Sequence, residues 1–337
     1  MPPNYARVKL PNTGKMDGVA FHTADVLNLG AGPHVLLQGG ARKGITPEMW
    51  LLQTDNEGFS ALHAHGDMPS ERTQATLNVL DHGEKTSVLF GGFALNGGEL
   101  NETWWCQLEE DMDDMSLLPK WKQLAPAGEP PPKRYGHTAN MLSGQRLIVV
   151  GGQNATTQFN DVHMLDLSEL PGTWSCLAEN TGPPLLPRTR HTCTQMADDR
   201  LIIVGGFHRH ERALDDVWSL KVSDDGTTTW DEVAPDTGDG TFEARTQHSA
   251  TAIGGNHVLV FGGYAGNKNL QDTWMLDVQE AKMVEIKCGT KPEPRCRHSA
   301  HYLNNAFTVI GGYDGFKPHS GDVVIYTLEI DDAAKLM

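Results

Sequence analysis

The chain has 337 residues, 39% hydrophobic and 21% charged, with a formal net charge of −16. This composition is that of a folding chain with a sizeable core rather than a disordered segment. Its negative balance excludes non-specific association with nucleic acid or an anionic membrane surface, since both need broad positive fields.

From the N-terminus, Met1 to Gly18 contains no apolar run of signal-peptide length, and no window reaches the length of a membrane span. The five cysteines, Cys106, Cys176, Cys193, Cys288 and Cys296, never fall in C-x-x-C spacing and signal neither a disulfide framework nor a zinc site. The expected location is the cytoplasm or the nucleus, without membrane insertion. The first strand-like element is residues 4–10, NYARVKL, followed by Pro11 and Gly14.

Beyond it a repeat organises the chain. Six short apolar runs each end in Gly-Gly: VLLQGG (Gly39, Gly40), SVLFGG (Gly91, Gly92), LIVVGG (Gly151, Gly152), LIIVGG (Gly205, Gly206), VLVFGG (Gly262, Gly263) and FTVIGG (Gly311, Gly312). The pairs are spaced by roughly 50 to 60 residues. Before the runs stand RTQATL, RYGHTA, RTRHTC, RTQHSA and RCRHSA; after them come NETWWCQL, NDVHMLDL, DDVWSLKV, QDTWMLDV and GDVVIYTL, which alternate as half-buried strands do. A further short strand carries Trp121, Trp174 or Trp230, with Phe59 and Val284 in the weaker copies, so each unit predicts four strands.

In these motifs, which span essentially the whole chain, the sequence resembles the Kelch-repeat family. The resemblance implies an all-β, six-bladed Kelch β-propeller, a single domain over residues 1–337 in which four-stranded antiparallel blades surround a central channel. The sixth unit has no convincing fourth strand after Ile330. The N-terminal strand 4–10 is expected to complete that last blade, because an open ring would leave unpaired edges, and residues 331–337 form a short tail.

The repeated residues are the site candidates. Gly-Gly here is followed by a strand rather than a helix, which favours close backbone packing over phosphate binding. His137, His191, His248 and His298 recur at one position and read as groups bonded within the blades rather than as metal ligands. The third-strand tryptophans Trp50, Trp105, Trp218 and Trp274 read as packing between blades. Arg72, Arg134, Arg188, Arg245 and Arg295 recur where each unit enters its innermost strand, while unit one offers Val19 there and Lys15 nearby. The resemblance to Kelch substrate receptors implies a ring of arginines at the channel mouth that grips carboxylates, for which the planar guanidinium is suited. The alternative is that these arginines pair with Asp or Glu of their own propeller. The loop His208, Arg209, His210, Glu211, Arg212 is a second partner-binding candidate at the same rim, and Glu109 to Asp114 reads as an acidic excursion.

The function expected is a protein- or peptide-binding scaffold or adaptor, with an acidic peptide or a C-terminus as ligand. A ubiquitin ligase or trafficking complex is the implied setting. No cofactor, metal or catalytic residue is expected. The alternative class is a Kelch-type enzyme, a specifier-protein-like lyase or a sialic-acid-mutarotase-like isomerase. Against the first, no E-x3-D-x3-H pattern occurs in the sequence.

Overall fold

The computed structural model describes the chain except residues 1–4, 10–19, 30–31, 42–44, 54–57, 65, 81–84, 112–115, 178, 182–184, 288–290, 314–323 and 330–337. Val19, Lys15, Cys288, the end of the acidic excursion and the 331–337 tail thus lie outside the described residues. Each Gly-Gly run is the second strand of a sheet: Gly32–Gln38, Thr86–Phe90, Arg146–Val150, Arg200–His208, His257–Tyr264 and Ala306–Ile310. These strands are apolar almost throughout because both their faces are covered by neighbouring sheets. Leu147, Ile148, Val149 and Val150, for example, are all fully buried.

Among the described residues the strands form six sheets of four or five strands and one separate hairpin. In four of the six sheets the strands lie in chain order from the axis outwards, as in Thr138–Leu142, Arg146–Val150, Val162–Asp166 and Thr173–Cys176; in the other two the outermost strand comes from earlier in the chain. The innermost strands Thr23–Leu29, Thr76–Val79, Thr138–Leu142, Thr192–Gln195, Ser249–Ala252 and Ser299–Leu303 each touch the next, and the last touches the first. Tyr5–Lys9 pairs antiparallel with Val324–Glu329, Tyr5 opposite Leu328 and Lys9 opposite Val324.

The expected six-bladed architecture with four strands in every blade requires correction. Only five of the sheets have four strands. The sheet built on Thr192–Gln195 has five, because Glu179–Thr181 runs parallel to its outer strand Thr228–Val233. Phe93–Ala94 and Gly98–Glu99 form the separate two-stranded hairpin. The extra strand arises because the chain leaving an outer strand crosses the outer edge of the following sheet. Ala127 makes a single parallel bridge to Thr173 in this way, and Asp236 one to Lys282. Between the third and fourth sheets the contact is long enough to become a strand, and each crossing covers an edge that would otherwise expose backbone donors and acceptors.

Cores form between sheets. Leu142, Ile148, Val150 and Val162 of the third sheet pack on Leu201, Ile203, Trp218 and Leu220 of the fourth. In the second sheet the repeat tryptophan is Trp104 rather than Trp105: Trp104 is buried against the first sheet, whereas Trp105 faces the third. Gly205 and Gly206 show why the repeated pair is glycine. Both have positive φ, 54° and 107°, and an added Cβ would stand 2.7 Å from the Arg245 carbonyl oxygen and 2.7 Å from the His191 Cβ, respectively.

Candidate functional site

Each repeat arginine is drawn into its own sheet. Arg134 donates from Nε to the Pro132 carbonyl, from Nη1 to the Gly151 carbonyl and, through both Nη atoms, to the two oxygens of Asp161 at 2.7 and 2.8 Å. Arg188 pairs identically with Asp216, and Arg245 with Asp272. Arg72 reaches Glu102 at 2.7 Å, and Arg295 donates to the Gly311 carbonyl. All five are at most 1% exposed. The expectation that they ring the channel mouth as partner-binding residues is therefore corrected: all five are buried in their own sheets, and in four of them, Arg72, Arg134, Arg188 and Arg245, a paired carboxylate compensates the buried guanidinium. The carboxylate is itself part of the repeat. It stands two residues before the third-strand aromatic and also accepts from that ring, as Glu102 does from Trp104, Asp161 from His163, Asp216 from Trp218 and Asp272 from Trp274.

The histidines are likewise internal. The Nε2 atoms of His22, His137, His191, His248 and His298 lie 2.8–3.0 Å from a Ser or Thr hydroxyl of the preceding sheet, Ser299, Thr76, Thr138, Thr192 and Ser249 in turn. His22 was not recognised as the first unit's copy. Burial pushes His22 and His137 down to about 3 and His191, His248 and His298 well below the ordinary value, so all five are neutral at pH 7. Among the described residues no three His, Cys, Asp or Glu side chains gather as a metal-holding group.

The residue just before each histidine position lines the axial mouth. Phe21, Gln74, Gly136, Arg190, Gln247 and Arg297 all have φ between 54° and 63°, the left-handed region. Their backbones form a closed circle in which each N–H donates to the carbonyl of the previous member: Gln74 to Phe21, Gly136 to Gln74, Arg190 to Gly136, Gln247 to Arg190, Arg297 to Gln247 and Phe21 to Arg297. Inside the circle is a shallow cavity of about 140 Å³.

Two of these six residues, Arg190 and Arg297, carry guanidinium groups, half-buried and without a carboxylate partner among the described residues. Arg190 Nε donates to Gln74 Oε1 at 2.9 Å and Arg297 Nε to Gln247 Oε1 at 2.6 Å, so the Nη groups face the mouth with no bond among the described residues. Arg297 stacks on Phe21, 4.2 Å from the ring centre, with Tyr313 at 5.3 Å. Burial, and then the neighbouring charge of Arg297, hold Arg190 below its ordinary pKa, partly offset by Tyr135. Around the circle stand half-buried Phe93, Phe207, Tyr264 and Tyr313, each placed by a backbone bridge to the residue after a repeat arginine. The second candidate, His208 to Arg212, is the hairpin joining Arg200–His208 to Arg212–Val222 at this same end. It rests on the neighbouring sheet: Arg209 N–H donates to Gln158 Oε1 and its guanidinium to the Thr156 carbonyl, while Arg209 and His210 are exposed.

The family model for the KLHDC2/KLHL20/DRC7 Kelch-repeats domain matches residues 22–184 and 171–332. The chain belongs to the Kelch-repeat family. Among curated Kelch relatives, an F-box/kelch-repeat protein of Arabidopsis thaliana is 30% identical over 281 residues, covering 80% of this chain and 56% of the relative. Adagio protein 3 of the same plant is 30% identical over 228 residues, 63% of this chain and 34% of the relative, and Kelch domain-containing protein 10 of Rattus norvegicus is 29% identical over 259 residues, 75% and 58%. The chain thus spans between about a third and three fifths of the length of these relatives. Kelch repetition explains why the mouth residues were missed: Arg190 and Arg297 occupy a position at which the six units differ, and a search for recurring residues passes over it.

Proposed function

We propose that this chain acts by binding, without chemistry of its own, and that the mouth carrying Arg190 and Arg297 docks a protein segment through its carboxylates. The observation that carries the reading is the pair of half-buried guanidiniums whose Nη donors have no bond among the described residues, in a fold that pairs four of its repeat arginines with carboxylates of their own sheets. A carboxylate accepts two parallel N–H bonds from such a fork, and the surrounding Phe93, Phe207, Tyr264 and Tyr313 offer apolar contact to flanking residues. The exposed Arg209 and His210 extend the same face. A net negative surface elsewhere disfavours a polyanion and favours a short acidic segment or a chain terminus. The relatives named F-box/kelch-repeat and Kelch domain-containing protein support a protein partner. A role as receptor in a ubiquitin ligase or as adaptor in a trafficking complex, in the cytoplasm or nucleus, is part of the proposal.

The test is selection of peptides from a random library on the folded protein, followed by affinity measurement of one selected peptide, its C-terminally amidated form and its Asp/Glu-to-amide form. Arg190→Ala and Arg297→Ala are each expected to cost about 2 kcal/mol or more, as central arginines commonly do. Amidation and side-chain neutralisation distinguish a terminal from an internal carboxylate. Unchanged affinity in both variants and for both neutralised peptides overturns the reading.

A further inference from the structure

The two arginines of the mouth are each tied to a glutamine, and the tie fixes what the glutamine offers a ligand. Arg190 Nε donates to Gln74 Oε1 and Arg297 Nε to Gln247 Oε1. A guanidinium has no acceptor, so the amide atom it meets is the oxygen, and the glutamine Nε2 is left over with its two N–H donors. Neither Nε2 atom and none of the Nη atoms has a bond among the described residues. None of them is among the buried polar atoms that lack a partner, so these nitrogens reach the surface. Gln74, Arg190, Gln247 and Arg297 line the single cavity of about 140 Å³ inside the circle, and that lining holds no Asp or Glu. Around the circle the two pairs occupy different arcs: Arg190 reaches back past Gly136 to Gln74, whereas Arg297 reaches the adjacent Gln247.

Each pair sets a guanidinium beside an amide, N–H donors that suit the two oxygens of one carboxylate. A single carboxylate neutralises one guanidinium and leaves the other half-buried and uncompensated, which is costly. Burial, and then the charge of Arg297, hold Arg190 below its ordinary pKa, so each cation lies in the field of the other. A second anion relieves what the first leaves. Two carboxylates in so small a cavity belong to one short skeleton, because successive side chains of an extended segment point to opposite faces and two neighbouring acids do not enter together. We propose that the mouth takes a dicarboxylate, one acid group held by Gln74 with Arg190 and the other by Gln247 with Arg297. The inference rests on the reading of the mouth as a carboxylate site and specifies its ligand. The dicarboxylate comes from a free dicarboxylic acid or from Asp or Glu as the last residue of a chain, where the side-chain and main-chain carboxylates share one residue.

The experiment is calorimetric titration of the folded chain with glutarate, with N-acetyl-glutamate, with inorganic phosphate and with N-acetyl-glutamine, which keeps the skeleton and one carboxylate. The two dicarboxylates are expected to bind about tenfold or more tighter than N-acetyl-glutamine, since the second carboxylate binds as an intramolecular partner of the first. Arg190→Ala and Arg297→Ala each remove one of the two sites, and in either variant the dicarboxylates and N-acetyl-glutamine are expected to bind alike. Glutarate compared with a short Gly/Ser peptide ending in Glu tells a free acid from a chain end. Equal affinity of N-acetyl-glutamine and the dicarboxylates in the unaltered chain, with loss in both variants, overturns the inference and leaves the mouth a site for one carboxylate. A dicarboxylate preference that survives in either variant, or phosphate bound as tightly as the dicarboxylates, also overturns it. Absence of arginine-dependent binding by any of the carboxylates overturns the underlying reading as well.

Discussion

Arg188 and Arg190 stand two residues apart and face opposite surroundings, and Arg295 and Arg297 repeat the contrast. Arg188 is fully buried on Asp216, so Arg188→Ala leaves a carboxylate facing a vacated site and is expected to cost about 3–5 kcal/mol of stability. Arg190 is half-buried, its side chain bonded to Gln74, and Arg190→Ala is expected to move stability by no more than about 1 kcal/mol while weakening the carboxylate binding proposed for the mouth. Urea unfolding of the two variants checks this; equal losses would mean that Arg190 is also structural. The same pair explains how far the residues were legible. Repetition at Arg72, Arg134, Arg188, Arg245 and Arg295 was visible, but a repeated cation reads the same whether it faces a partner or its own sheet. The deciding signal was present in ETW, DVH, DVW and DTW, where an acid recurs two residues before the ring. A charge that recurs in step with an opposite charge is a paired one, whereas Arg190 and Arg297 share a position with Phe21, Gln74, Gly136 and Gln247 and have no acid in step with them.

Individual strands carry their own consequence. Tyr5–Lys9 is the outer member of a sheet whose other strands begin at Ser299, nearly the whole chain away. Deleting residues 1–9 strips that pairing and exposes an edge, so stability is expected to fall by about 3 kcal/mol or more with increased self-association. Thermal melting and light scattering of the truncated chain measure both, and an unchanged midpoint would show that the pairing contributes nothing. This strand could be read from its alternation and from the missing member of the last unit. Glu179–Thr181 could not. It is three residues long, pairs parallel with a strand about fifty residues on, and shows neither alternation nor a turn signal. Its existence depends on where the crossing chain falls against the neighbouring edge, which is decided by packing between sheets rather than by local pattern.

At the scale of the whole molecule, the histidines around the channel make acid the weak condition. His22, His137, His191, His248, His298 and His301 are all held below the ordinary value of 6.5, chiefly by burial, with His301 at about 4. Between those folded values and 6.5 the unfolded chain binds more protons than the folded one. Stability is therefore whole above about pH 6.5 and falls below it, by up to about 1.4 kcal/mol per pH unit for each group. Asp25, raised to about 6, acts in the opposite direction, but it is one group against six. The melting temperature is expected to drop steeply between about pH 7 and pH 5, and a flat profile over that range would contradict neutral, buried imidazoles. The closed circle of backbone hydrogen bonds at the arginine mouth has a separate consequence. The circle itself closes through backbone N–H and C=O groups, so the five side chains hung on it need only tolerate a left-handed backbone for the ring to close. Read around the axis the positions spell Phe, Gln, Gly, Arg, Gln, Arg, an address of which five letters can be rewritten one at a time, while Gly136, where a Cβ would stand 2.3 Å from Thr189 Oγ1, is held by the fold.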